Sequence, residues 1–120
     1  MSRFLMMIRH GEDPTDPDNR PDISPEVIEN VGKLLEEMSK AGVLLDTSGL
    51  KPTHEGVRLH WKAGDLSYTD GPFTEAKEIV GGYAMLQCAD RAEAVEWARR
   101  FVGLHDGVDF TAEIREIVEG

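Results

Sequence analysis

A chain of 120 residues makes a single domain, long enough for a real core and short enough that a second copy can complete its burial. With 13 Lys and Arg against 23 Asp and Glu, the net charge of -10 disfavours nucleic acid and anionic membrane as partners, because both require a basic face. The single cysteine, Cys88, excludes an internal disulfide and a thiolate metal cluster and suits a reducing compartment.

The apolar run Phe4 to Ile8 is too short for a membrane span or the apolar region of a signal peptide, and Arg9-His10 follows it instead of a small-residue cleavage site. A cytoplasmic location is the expectation. The same run, bounded by Arg3 and Arg9, reads as a central strand covered on both faces. From His10 to Asp22 the chain carries Pro14, Pro17 and Pro21 among acidic residues, so it is a surface loop, either a lid or a solvated connector. Ser24-Pro25-Glu26 then supplies an N-cap, a proline at the first helical position and a first-turn acid. Val27, Ile28, Val31, Leu34, Leu35 and Met38 recur at helical spacing until Gly42, which predicts a helix over 24–41.

A second strand follows over 43–50, and a turn-rich break runs from Lys51 to Gly56. Val57, Leu59 and Trp61 alternate with polar residues, Ala63-Gly64-Asp65 turns the chain, and Leu66, Tyr68 and Asp70 alternate on the way back. That pattern predicts a hairpin whose returning arm ends at Asp70. Asp70-Gly71-Pro72 forces a turn, and after the charged segment Glu75 to Glu78 the pair Gly81-Gly82 lets the backbone pass close to a neighbour before a strand over 82–88. Asp90 to Glu93 is a capping box opening a helix over 91–102, stopped by Gly103, and alternation from Val108 predicts a last strand reaching Val118.

The order β-α-β, hairpin, β-α-β fits an α+β, ferredoxin-like split βαβ sandwich with an inserted hairpin, both helices lying on one face of the sheet. Phe4, Met6, Trp61, Tyr83 and Met85 are expected on the other face, where a homodimer, as a dimeric α+β barrel, would cover them.

The candidate site gathers at the loop 70–82. Asp70 is a candidate acid-base group if desolvated there, or the cap of its own Gly71-Pro72 turn. His10, beside Gly11 at the end of the first strand, is its candidate partner. Lys77, Glu75 and Gly82 are candidate ligand contacts, the charged ones alternatively solvated. Arg9 is either a carboxylate-binding arginine or part of a structural ion-pair group with Glu113 and Arg115. None of the four histidines has metal-ligand spacing, and His105 belongs to a turn, so no metal and no cofactor are expected.

Ala41-Gly42-Val43-Leu44, Gly49-Leu50-Lys51-Pro52, Val57-Arg58, the run Thr69 to Glu78 and Gly82-Tyr83 together resemble the YCII-related family in its DGPF-signature branch. Glu93 to Trp97 and Glu113-Ile114-Arg115 extend the likeness over nearly the whole chain, residues 1–120. The resemblance implies a ferredoxin-like fold, usually dimeric, in a family most of whose members are uncharacterised. It also implies a His-Asp site in some members and, in this branch, frequent association with extracytoplasmic-function sigma factors. Helix 24–41 contains no histidine, so only the aspartate half of that site transfers, onto Asp70. Two readings follow: a small-molecule binding protein or enzyme with a pocket at the DGPF loop, and a non-catalytic accessory module acting through protein contacts.

Overall fold

Capping and periodicity set the elements of this computed structural model, which describes residues 1–13, 23–73 and 76–119. Strand β1 is Ser2–His10, followed by helix α1, Pro25–Lys40, and strand β2, Leu44–Gly49. A hairpin of β3, Val57–Lys62, and β4, Asp65–Asp70, precedes β5, Ile79–Cys88. Helix α2, Arg91–Gly103, and strand β6, Thr111–Glu116, complete the chain. The expected lid segment lies mostly outside the described residues.

The Ser24 hydroxyl accepts from Val27 N at 3.2 Å and opens α1, and Gly42, at φ 75°, turns the chain out of it. At α2 the Asp90 carboxylate accepts from Glu93 N at 2.9 Å while Glu93 reaches back to Ala89 N at 3.2 Å. The last strand begins later than its alternation suggests. Gly107, at φ 78°, and a bond from Val108 N to His105 O hold residues 105–110 in an irregular turn.

β2, β5, β1 and β6 lie side by side in that order, each neighbouring pair antiparallel, which is the ferredoxin-like α+β arrangement. β3 and β4 form a separate two-stranded sheet, joined through Ala63 and Gly64, both at positive φ.

Register decides the faces. Phe4 stands opposite Leu86 and Met6 opposite Ala84, so all four project to the helix side. There they pack with Leu34 and Met38 of α1 and Ala94 and Ala98 of α2. Each large side chain buried there contributes about 1.5–3 kcal/mol. Phe4 and Met6 are therefore core residues, and the face away from the helices carries Leu5, Met7, Tyr83 and Met85, all partly exposed. β1 is central but covered on one face only. No described helix is long and apolar enough to cross a membrane.

Candidate functional site

Where β1 leaves the sheet and β5 enters it, the pairing slips: Ile8 faces Gly82, yet Arg9 faces Val80, and Gly81 is left as the extra residue of a bulge. Bulges re-aim the side chains beside them. Consecutive strand residues point to opposite faces, so Arg9 and His10 serve two different cavities.

The cavity on the helix side has a volume of about 400 Å³. Ile8 and Ile79 from the sheet, Ile28 from α1, Leu50 after β2, and Phe101, Val108 and Phe110 around the end of α2 give it apolar walls. His10 and His105 are set into them. The His10 ring lies over Gly81, where a Cβ would fall 2.2 Å from Nε2, so only glycine leaves room for the imidazole in this position. Its Nδ1 is 2.7 Å from Gly11 O. His105 Nδ1 is 2.8 Å from Phe101 O, and its ring stands between Phe101 and Phe110, at centroid distances of 4.8 and 5.1 Å.

Glu12 closes one rim of this cavity by binding Thr53, accepting from its backbone N at 2.9 Å and from its hydroxyl. The same hydroxyl accepts from Phe73 N at 3.2 Å, so one threonine joins the segment after β1 to the turn after β4. Partial burial acts to raise the Glu12 pKa, but the two Thr53 hydrogen bonds, with His10 and His54 nearby, outweigh it and hold the carboxyl below its ordinary range.

A second hollow, of about 390 Å³, lies on the face of the sheet away from the helices. Arg9, Arg58 and Arg115 line it with Glu78, Glu113 and Phe73. Arg9 pairs with Glu113 at 2.9 Å, the structural pairing, but both side chains are more than a third exposed, which limits the pair to about 0–1 kcal/mol. The Arg58 guanidinium sits 3.9 Å above the Phe73 ring. Arg115, opposite Leu5 in the β1–β6 pairing, makes no side-chain hydrogen bond or ion pair among the described residues.

The residues singled out by sequence thus separate. His10 and Arg9 flank the bulge, one per cavity. Asp70 is exposed at the end of β4, opposite Val57, and lines neither hollow. Lys77 is exposed and also lines neither, while Glu75 lies outside the described residues. Gly82 is buried and lets β2 approach: a Cβ there would meet Ser48 O at 3.2 Å. Gly71 does the same for Thr53, whose carbonyl oxygen would be 1.6 Å from an added Cβ. Sequence reasoning passed over His105. Its position four residues after Phe101 at a helix end was the available signal, since that spacing stacks two rings on one face.

The chain is 33% identical over 73 residues to an uncharacterised protein of Rhizobium meliloti (strain 1021), an alignment covering 61% of this chain and 59% of that one. The chain therefore spans less than two thirds of that relative's length. The model of the YCII-related domain matches residues 3–118, and the chain belongs to the YCII-related family.

Proposed function

We propose that this protein binds a small, largely apolar molecule in the cavity between its helices and its sheet, with His10 and His105 as the polar contacts. The observation that carries the reading is the cavity itself: about 400 Å³, apolar-walled and holding two imidazoles. Ligand pockets commonly run from about 300 to 1,000 Å³ and combine apolar walls with a few placed polar groups. A thermal-shift screen of aromatic and alicyclic fragments tests it, with Val108→Trp, which fills the cavity from an irregular segment, as the control. Fragments that stabilise the parent and lose their effect in the variant support the reading. A screen without a stabilising fragment removes it.

A second reading is favoured by the hairpin. Val57, Leu59 and Trp61 pair across it with Asp70, Tyr68 and Leu66, so its apolar side chains share one face, and all five are exposed. An isolated two-stranded hairpin is at best marginally stable, so this face wants a cover. We take that cover to be a second copy, giving a homodimer in which the hairpin and the open sheet face are buried. An accessory role in an extracytoplasmic-function sigma-factor circuit, which the resemblance to the DGPF-signature branch suggests, would use the same face. A pull-down with Trp61→Glu as the control separates the roles, because the variant abolishes protein contacts there and leaves the cavity untouched.

A further inference from the structure

The two histidines of the cavity share a feature that bears on what the cavity accepts. A carbonyl oxygen only accepts hydrogen bonds, so the nitrogen that meets it must carry the hydrogen. Nδ1 of His10 meets Gly11 O at 2.7 Å, and Nδ1 of His105 meets Phe101 O at 2.8 Å. Each neutral ring is thereby fixed as the Nδ1–H tautomer, and its Nε2 presents a lone pair. Neither Nε2 has a hydrogen-bond donor partner among the described residues. Of the other lining side chains able to form a hydrogen bond, Glu12 is held by Thr53, Lys51 pairs with Glu55 at 3.9 Å, and Asp109 is exposed and, as a carboxylate, only accepts; the rest of the wall, Ile8, Ile79, Phe101 and Phe110 among it, is apolar.

We infer that the cavity selects an apolar ring-bearing ligand that carries a hydrogen-bond donor, a phenol, an enol or a ring N–H, and that Nε2 of His10 or His105 accepts that hydrogen. The inference rests on the cavity being the ligand site proposed above. An apolar ligand without a donor covers two acceptors and leaves them unpaired, whereas a ligand offering only a carbonyl meets a lone pair with a lone pair. Gly81 belongs to the same device: lacking a Cβ, it lets the His10 ring lie across the bulge with Nδ1 against Gly11 O.

The test compares 2-naphthol with 2-methoxynaphthalene, the same ring system with its donor methylated, by calorimetric titration of the full chain. The naphthol should bind about tenfold more tightly, the margin that one hydrogen bond in an apolar site gives. In the double variant His10→Leu, His105→Phe that preference should fall to nearly nothing, with circular dichroism confirming the fold. Equal affinity of the two probes overturns the donor requirement and leaves the cavity as a binding site. Binding of neither probe overturns both. A preference that survives in the double variant assigns it to other groups and overturns the role of the histidines. Should that variant not fold, ¹H–¹⁵N correlation through the imidazole rings of the parent decides. Protonated Nδ1 with unprotonated Nε2 in His10 and His105 supports the inference, and the opposite tautomer in both overturns it.

Discussion

Gly81 lies under the imidazole of His10 so closely that a Cβ added to it would come within 2.2 Å of Nε2 and 2.6 Å of Cδ2. The obstructing atoms belong to a side chain on the wall of a cavity, which can turn aside. Gly81→Ala should therefore change stability in urea unfolding by no more than about 1 kcal/mol, below the usual cost of overpacking a core. Binding should suffer instead. If His10 contacts the ligand, 2-naphthol affinity should fall several-fold in this variant. Unchanged affinity would place the contact elsewhere.

Gly71 makes the opposite case. A Cβ there would stand 1.6 Å from Thr53 O and 2.5 Å from Thr53 C, and backbone cannot turn aside as a ring can. Thr53 is held as well by Glu12 on one side and by Phe73 N on the other. Gly71→Ala should cost about 2–3 kcal/mol or more, at the upper end of overpacking effects. Equilibrium unfolding in urea of the two alanine variants side by side gives the comparison, and equal costs would mean that the turn after β4 is not seated on Thr53.

The Glu12 carboxyl, held below its ordinary range, carries a stability-pH relation whose sign follows from that direction. A carboxyl with a depressed folded pKa stabilises the fold fully above its unfolded value of about 4.3, and the contribution is lost as pH falls through the folded value. Glu12→Gln removes the titrating group but keeps an oxygen able to accept from Thr53. Melting temperatures of parent and variant should thus differ most at neutral pH and converge in acid. A constant gap across the range would mean that the carboxylate charge contributes nothing there.

Burial raises the Cys88 thiol to about 11, with Glu93 and Asp90 adding to the effect. Nearly all of it is protonated at pH 8, and the thiolate is the reactive form. Ellman's reagent at pH 8 should leave the folded protein unmodified and titrate one thiol per chain after denaturation. Rapid reaction of the folded chain would show that β5 opens at its α2 end.

Much of this fold was legible locally. Ser24-Pro25 and the Asp90–Glu93 box announce their helices within four residues, and the alternation on either side of Ala63-Gly64 announces the hairpin. Face assignment was not legible for Phe4 and Met6, because a run of five apolar residues carries no alternation, and only the pairing with Leu86 and Ala84 shows which side the helices cover. Val108 and Phe110 alternate like strand residues, yet they line the cavity from an irregular turn, since Gly107 and the bond to His105 O intervene. Of the site, His10 and Arg9 could be picked out by their place at a strand end. That they belong to separate cavities depends on a bulge, which is a property of two strands and not of one. The four-residue spacing from Phe101 pairs the His105 ring with its neighbour, but that the pair lines a cavity follows only when the end of α2 is laid against β1 and β5, a long-range relation.

The exposed face of the hairpin supports the most direct prediction about assembly. Trp61 is 74% exposed, Tyr68 65% and Leu59 59%, on an arm that pairs with no other strand among the described residues. Side chains of this size in water would each forgo about 1.5–3 kcal/mol of burial, and two strands alone cannot hold the arm in shape. A copy of the same chain offers a matching apolar surface through Leu5, Met7, Tyr83 and Met85 on its open sheet face. Sedimentation at micromolar concentration should give a dimer for the parent and a monomer for Trp61→Glu, Tyr68→Glu, whose helical circular dichroism should persist because the core lies on the other side of the sheet. A parent of monomeric mass would remove the dimer, and with it the reason for so much apolar surface on an unsupported arm.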